Sequence, residues 1–359
     1  PCLGELEYIP SFISCLRKQS YLDYKLFACV NQPEQWWEEP AKRHVCADNH
    51  LTLEFLLQCR DVPITVIDRS SPGKGWKGNH FGVGWARKTA MDAISEEAEK
   101  DDILVSIDAD TTFGDTYLES VRDTFIRHPG FAGLAVPYYH LLTHDEVTDR
   151  CILRYEIYMR YYALNMWRIQ NPYRFTAIGS AMACPVWAYR AVGGITPHKS
   201  GEDFYFMQKL SKFGKILHWN NESVFPAARF SDRVLFGTGP AMIKGRDGDW
   251  SSYPIYSYQL FNDIMTTYDL FPALYEEDFS TPMTGFLKEI FKTDDLWQPL
   301  RTNYTTREQF IRACISRVDG LRILQYLKSR HKEDGLTDEE NLREFFKFQF
   351  QKAKSKNER

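Results

Sequence analysis

Short apolar runs alternate with helical repeats in the first part of the chain. The apolar runs have the length and composition of buried strands and lie at residues 25–30, 64–68, 103–108 and 132–136. Apolar residues three and four positions apart predict helices at residues 9–16, 49–60, 86–99 and 116–127. Strands that alternate with helices indicate an α/β fold with a mostly parallel, Rossmann-like sheet flanked by helices.

The pattern loosens after residue 137 and turns helical after about residue 240. Between these points we expect a long Tyr-rich helix at 150–169, a strand at 175–183 and a short helix at 186–192. Further helices are predicted at 257–270, 283–291 and 305–330, and a capping box at Thr337 predicts one more, basic towards Arg359. We therefore expect a first domain at residues 1–240, with halves at 1–137 and 138–240, and a helical C-terminal extension at 241–359.

The opening residues look like a loop that follows a strand. Residues 1–5 read P-C-L-G-E, and a helical repeat comes directly after them. The strand that should open the sheet is therefore expected before Pro1, unless another segment takes its place.

Charge and cysteine content narrow the functional classes. A net charge of −4 and a pI near 6.2 give no basic footprint for nucleic acid. No apolar run reaches the roughly 18 residues that span a bilayer, and no signal peptide opens the chain. The 8 cysteines lack C-x-x-C spacing, which is typical of reduced thiols. We expect a cytoplasmic protein and leave peripheral membrane contact at the inner face and the oligomeric state open.

Two acids end one of the apolar runs. Residues 102–110 read D-I-L-V-S-I-D-A-D, so Asp108 and Asp110 follow a predicted strand. Open α/β sheets bind ligands at the carboxyl ends of their strands. Paired carboxylates suit Mg²⁺ or Mn²⁺, which commonly complete their coordination with substrate phosphates. On this stretch alone, a helix cap is an equally good interpretation.

A second pair of acids stands at the start of a predicted helix. Glu202 and Asp203 follow a glycine-rich loop and precede a helical repeat at 204–213. The helix dipole favours the ionised form of acids there, and an ionised carboxylate next to a ligand can act as a general base. Ordinary helix capping is the alternative.

Five short motifs occur in a fixed order between residue 1 and about residue 235. They are P-C-L-G-E at 1–5, G-W-A-R-K at 84–88, D-A-D at 108–110, R-A-V-G-G at 190–194 and G-E-D at 201–203. Each is short, but the order and separations together resemble family-2 glycosyltransferases of the GT-A fold. The resemblance implies metal-dependent transfer of a sugar from a nucleoside-diphosphate sugar, such as a UDP- or GDP-sugar, to an acceptor hydroxyl.

The resemblance also implies residues on the donor side of the site. Asp110 would coordinate Mn²⁺ or Mg²⁺ at the diphosphate, and Asp108 would contact the ribose or reach the metal through water. Glu5, Asn31 and Arg87 would lie around the nucleotide base and phosphates. Asn31 stands where many relatives carry an acid.

On the acceptor side, the resemblance makes Asp203 the catalytic base and Glu202 the residue that orients the acceptor, with exchanged roles for the two acids as the alternative. Direct displacement of this kind inverts the anomeric centre. The Q-x-x-R-W signature of processive synthases is missing from the sequence, so a single addition to a glycan or lipid-linked acceptor is favoured. Arg229 and Arg233 suit diphosphate oxygens, although surface ion pairs are an equal alternative.

Other functional classes stay open. A nucleotidyltransferase also uses a metal and a related sheet, and a nucleotide-sugar or glycan-binding protein would bind without turnover. An NAD-dependent oxidoreductase is suggested by G-K-G-W-K-G at 73–78. That class is disfavoured because the glycines come several residues after the strand and no acid ends a strand about 20 residues later.

Overall fold

The computed structural model describes residues 1–218, 221–234 and 237–357, without the side chains of 332–334 and 352–357. Its contacts divide the chain into two compact units. The first contains Pro1–Tyr155 and Phe175–Asp249, and the second contains Glu156–Arg174 and Trp250–Arg359. The second unit therefore takes in a stretch of Tyr-rich helix in addition to the C-terminal region.

Strands and helices are interleaved in the first unit, which confirms the expected α/β fold class. Its strands are β1 (Leu26–Asn31), β2 (Ile64–Arg69), β3 (Ile103–Ser106), β4 (Thr111–Phe113), β5 (Phe131–Ala135), β6 (Met182–Pro185), β7 (Lys215–His218) and β8 (Val224–Pro226). Its helices are α1 (Ile9–Arg17), α2 (Arg43–Gln58), α3 (Val83–Glu97), α4 (Tyr117–Arg127), the start of α5 (Glu146–Arg168), α6 (Val186–Ala191), α7 (Glu202–Phe213) and α8 (Thr238–Arg246).

The strand pairing is mixed. Strands β1 and β2 are parallel, with Leu26 opposite Ile64 and Asn31 opposite Arg69. A four-stranded sheet has the order β3-β6-β5-β7, in which β6 is antiparallel to both neighbours and β5 is parallel to β7. Strands β4 and β8 form a short antiparallel pair. Parallel and antiparallel pairs thus occur together in this unit.

Helix α1 shows how the sequence pattern builds the core. Ile9, Phe12, Ile13 and Leu16 recur at helical spacing and are all buried. They belong to one apolar cluster with Val30 of β1 and with residues of α4. Full burial of each such side chain contributes roughly 1.5–3 kcal/mol.

Residues 175–183, predicted to form one strand, do not do so. The strand here is β6, Met182–Pro185, and the residues before it are irregular. The reason lies in tertiary contacts: the Gly179 carbonyl accepts a hydrogen bond from Arg87, and the Ser180 hydroxyl donates one to Asp108. Polar groups that bind these side chains hold the segment in an irregular path before β6 begins.

Among the described residues of the second unit, all regular secondary structure is helical. They are the end of α5, α9 (Tyr258–Leu270), α10 (Thr284–Phe291), α11 (Gln298–Asn303), α12 (Arg307–Arg317), α13 (Gly320–Asp334) and α14 (Asp338–Asn357). The single helix predicted at 305–330 is divided into α12 and α13, because the Asp319 carboxylate caps α13 by accepting from the Arg322 amide at 3.2 Å.

The predicted capping box at the start of α14 is confirmed. The Thr337 hydroxyl accepts from the Glu340 amide at 3.2 Å, and the Glu340 carboxylate accepts from the Thr337 amide at 2.8 Å. The sequence predicts that this helix is basic towards its end, but the side chains of that part lie outside the described residues. None of the described helices combines the length and apolar character that a membrane crossing needs.

Candidate active site

Arg87 lies at the centre of a polar site in the first unit. It projects from α3 and is only 2% exposed. Nη2 donates to Asp108 at 2.6 Å, and Nε donates to Glu202 at 3.1 Å. Nη1 donates to the Ser106 hydroxyl at 2.6 Å and to the Gly179 carbonyl at 3.0 Å. Protein atoms therefore occupy four of the five N–H donors of this guanidinium.

Two glycines make this arrangement sterically possible. A Cβ on Gly179 would lie 2.1 Å from Arg87 Nη2, and a Cβ on Gly84 would lie 2.2 Å from the His198 carbonyl oxygen. Both distances are far below van der Waals contact. The backbone can therefore close around Arg87, and α3 can approach the loop before α7, only where no side chain is present.

Asp108 follows β3, and both of its carboxylate oxygens accept hydrogen bonds. Oδ1 accepts from Arg87, and Oδ2 accepts from the Ser180 hydroxyl at 2.9 Å. Burial opposes ionisation, but the Arg87 charge is strong enough to hold the pKa of Asp108 below its usual value. Asp108 is therefore a fixed anion at the end of the strand.

Glu202 and Asp203 open helix α7. The preceding Gly201 has φ of +76°, in the left-handed region that glycine adopts without strain. Glu202 is 3% exposed and bonded to Arg87, whereas Asp203 is half-buried. Asp203 Oδ1 accepts from the Phe204 amide at 2.7 Å, and Oδ2 receives no hydrogen bond from the described residues.

The two acids of α7 differ in their surroundings. Burial, reinforced by the neighbouring Glu202 charge, raises the pKa of Asp203 to about 7. An acid with such a pKa and a free oxygen can exchange a proton near neutral pH. Glu202 instead has the Arg87 guanidinium as its partner. The sequence could not distinguish the two residues in this way.

A second charged network surrounds Glu5 and Asp110. Arg229 donates to both oxygens of Glu5 at 2.9 and 2.8 Å and to Asp110 Oδ2 at 2.5 Å. Arg233 also donates to Glu5, at 2.5 Å, and the Arg229 guanidinium lies over the Tyr8 ring. Both arginines therefore form ion pairs here, and their binding of diphosphate oxygens stays a prediction.

Burial raises the pKa values of both acids in this network. The pKa of Glu5 rises to about 8, with the Asp110 charge adding to the effect of burial. Burial also raises the pKa of Asp110, against the opposing charge of Arg229. The carboxylates are thus crowded, and they would be stabilised by further positive charge.

Asn31, predicted to bind nucleotide, is 2% exposed at the end of β1. Its side-chain amide donates to the Cys2 carbonyl at 2.9 Å and accepts from the Trp76 indole at 3.1 Å. These bonds link β1 to the N-terminal residues and to the loop that carries Trp76. Its contact with nucleotide stays a prediction.

The glycine-rich segment at 73–78 binds a side chain of the protein itself. The Gly73 and Gly75 amides each donate to the Glu34 carboxylate at 2.7 Å. Lys74 pairs with Asp68 at 3.0 Å. The backbone amides that a dinucleotide phosphate would need are therefore occupied, which further disfavours the oxidoreductase interpretation.

No family model matches the chain, and no curated protein matches it. Among solved structures, a crystal structure of S. aureus TarS 1-349 is 12% identical over 89% of each chain, with a TM-score of 0.43. A crystal structure of S. aureus TarS is 11% identical over 92% of this chain and 54% of that chain, with a TM-score of 0.42. Similarity of this degree assigns no activity, so the function has to be argued from the site.

The carboxylate oxygens of Asp108 and Asp110 are suitable ligands for a hard divalent cation. Arg229 donates to Oδ2 of Asp110, and both acidic side chains are partly exposed. No group of three or more His, Cys, Asp or Glu side chains in the described parts of the chain could hold a metal. Mg²⁺ commonly binds one or two carboxylates together with substrate phosphates, so a diphosphate would have to complete such a site.

Sequence reasoning missed three groups that organise the site. Ser106, Gly179 and Ser180 hold Arg87 and Asp108 in place. A weak signal existed, because a Gly-Ser pair just before an apolar segment is unusual inside a predicted strand. The partners of Gly179 and Ser180, however, lie more than 70 positions away in the sequence and could not be assigned without the structure.

Proposed function

We propose that the chain is a GT-A-type glycosyltransferase that moves a sugar from a nucleoside-diphosphate sugar to an acceptor hydroxyl with inversion. One observation carries this proposal: a single buried guanidinium, Arg87, bonds Asp108 of the D-x-D motif and Glu202 of the E-D motif. The two acidic motifs therefore belong to one site. The motif order in the sequence supports the same function.

The acceptor side is assigned to α7. Asp203 has a free carboxylate oxygen and a pKa of about 7, which suits removal of a proton from an attacking hydroxyl near neutral pH. Glu202, fixed by Arg87, would position the acceptor. A buried anchor of this kind holds the neighbouring base in a constant orientation while substrates exchange.

The donor side is assigned to the loop after β3. Asp110, assisted by Asp108, would hold Mg²⁺ or Mn²⁺ together with the donor diphosphate. When bound, the ion offsets negative charge on the leaving nucleoside diphosphate. Arg229, which bonds Glu5 and Asp110, and Arg233, which bonds Glu5, are the cations that adjoin this position.

A screen of nucleotide sugars tests the proposal. UDP- and GDP-sugars should be hydrolysed or transferred in a Mn²⁺- or Mg²⁺-dependent manner and should release nucleoside diphosphate. Release of pyrophosphate from a nucleoside triphosphate would indicate a nucleotidyltransferase instead. Binding without release of any product would indicate a binding protein.

A further inference from the structure

Arg229 lies on a segment that begins beside the loop carrying Asp110. Strand β8 is antiparallel to β4, and the Ala227 amide donates to the Asp110 carbonyl at 3.0 Å just after β8 ends. Beyond this bond, residues 227–234 form neither helix nor strand. The strand pair therefore fixes the start of an irregular segment next to Asp110, and Arg229 is part of that segment.

The Arg229 guanidinium is shared by two carboxylates. It donates to Glu5 through both Nη atoms, at 2.9 and 2.8 Å, and to Asp110 through Nη2 alone, at 2.5 Å. Glu5 has a second cation, because Arg233 donates to its Oε1 at 2.5 Å. Among the described side chains, the cation that pairs with Asp110 is Arg229. Loss of the contact with Arg229 would therefore leave Glu5 paired and Asp110 in need of positive charge.

The two aspartates of the D-x-D motif differ in how firmly their arginines are held. The Arg87 side chain, which bonds Asp108, is 3% exposed, and protein atoms occupy four of its N–H donors. The Arg229 side chain, which bonds Asp110, is 20% exposed and belongs to irregular backbone. The contact at Asp108 is thus part of a buried frame, whereas the contact at Asp110 can open without unpacking a helix.

Charge balance limits what can bind at Asp110. Even with Glu5 and Asp110 both ionised, their two negative charges are already matched by the guanidinium groups of Arg229 and Arg233. A divalent cation on Asp110 adds two positive charges beside Arg229, and like charges repel strongly where water is largely excluded. A diphosphate is an anion that would offset this excess. A metal ion should therefore bind better together with a diphosphate than alone.

We propose that Arg229 is the counter-ion of Asp110 until a divalent cation and the donor diphosphate replace it together, and that its guanidinium then binds diphosphate oxygens. A planar fork of N–H donors suits phosphate oxygens as well as carboxylate oxygens. Glu5 keeps Arg233 during this exchange, so no buried carboxylate loses all its partners. The inference rests on the proposed function and adds that metal and donor strengthen each other's binding through Arg229.

Binding of Mn²⁺ alone, measured by calorimetry, tests the first half of the proposal. Arg229→Met removes the competing cation from Asp110 and should tighten Mn²⁺ binding by roughly tenfold, a typical size for coupling between sites. Arg233→Met is the matched control, because it removes the same charge from Glu5 without removing the partner of Asp110. Its effect on Mn²⁺ binding should be much smaller.

Two further variants connect the result to Asp110. Arg229→Met combined with Asp110→Ala should lose the gain in Mn²⁺ affinity. Arg229→Lys keeps a positive charge but loses the fork that joins both acids, so its Mn²⁺ affinity should lie between those of the unaltered chain and Arg229→Met. This milder variant decides the question if Arg229→Met does not fold, because Mn²⁺ binding no tighter than that of the unaltered chain would contradict displacement.

Binding of UDP and GDP in excess Mn²⁺ tests the second half. Arg229→Met should bind nucleotide roughly tenfold more weakly than the unaltered chain, because it lacks the guanidinium that passes to the diphosphate. The two effects have opposite signs. Loss of a purely structural ion pair would not tighten the binding of the metal and weaken that of the nucleotide.

Three results would overturn the proposal. The first is Mn²⁺ binding by Arg229→Met that is equal to or weaker than that of the unaltered chain, and the second is a gain that survives Asp110→Ala. The third, unchanged nucleotide binding by Arg229→Met, would leave the glycosyltransferase function standing. Failure of that function gives a different result: the unaltered chain would bind neither UDP nor GDP with Mn²⁺, and the passage of Arg229 to a diphosphate would fail with it.

Discussion

Arg87 and Glu202 lie 115 positions apart in the sequence, yet Nε of the arginine donates to Oε1 of the glutamate at 3.1 Å. Both side chains are nearly inaccessible, at 3% and 4% exposure. The same guanidinium holds Asp108, so helix α3 connects the loop after β3 to the start of α7. The two acidic motifs therefore keep a fixed spacing.

Removing the Arg87 charge should destabilise the protein strongly. Arg87→Met leaves the Asp108 and Glu202 carboxylates without their partner, and breaking a buried pair in this way costs about 3–5 kcal/mol. The measurement is the free energy of unfolding in urea. Arg17→Met, in the exposed pair with Asp61, is the matched control and should change little. Equal effects of the two substitutions would contradict the role given to Arg87.

A methyl group on Gly179 should disturb the same contact. Its position 2.1 Å from Arg87 Nη2 forces the guanidinium or the backbone to move, and overpacking of this kind costs about 1–3 kcal/mol. Gly130→Ala is the control, since a Cβ there meets nothing within 4 Å. Thermal denaturation of both variants checks the prediction, which fails if Gly179→Ala unfolds at the same temperature as Gly130→Ala.

Stability should depend on pH through Asp203. Folding raises the pKa of this acid from 3.8 to about 7, so the native state holds a proton that the unfolded state has lost. The resulting contribution to stability is complete below about pH 4 and is lost as the pH rises through about 7. Asp203→Asn should flatten this part of the profile of unfolding free energy against pH. An unchanged slope would show that the folded protein does not shift this group.

The capping box of α14 should contribute measurably to the second unit. Thr337→Ala removes the hydroxyl that accepts from the Glu340 amide, and loss of an N-cap costs about 1 kcal/mol. The expected result is a lower unfolding midpoint with accelerated hydrogen exchange at the start of α14. Thr305→Ala, at an exposed position, serves as the comparison. No difference between the two variants would contradict the assigned cap.

Local patterns predicted much of the fold but few of the contacts within the site. The apolar run that ends at Asp108 and the amphipathic spacing of Ile9 to Leu16 identified β3 and α1, because period and composition are local properties. The Arg87 contacts were beyond sequence reasoning, since they join residues brought together only by tertiary packing. The strand predicted at 175–183 was wrong for the same reason: Gly179 and Ser180 bind distant side chains.

The charge states of the acids also could not be predicted from the sequence. Helix position alone predicted an ionised Asp203, whereas burial beside Glu202 raises its pKa to about 7. Glu5 pairs with Arg229 and Arg233, contacts that the sequence did not indicate, while its place near a nucleotide stays a prediction. Burial and long-range ion pairs decide both outcomes, and neither can be read from residue spacing.

The central claim is that one site contains a metal-dependent donor side and a separate base, and one pair of variants tests it most directly. Two quantities are measured for Asp203→Asn and Asp110→Ala: the binding of UDP and GDP in the presence of Mn²⁺, by calorimetry, and the rate of sugar transfer. Asp115→Asn, at an exposed position, is the control. We predict that Asp203→Asn lowers the transfer rate by roughly 10²–10⁴-fold and leaves nucleotide binding nearly intact, whereas Asp110→Ala loses both. Normal transfer by both variants would contradict the account.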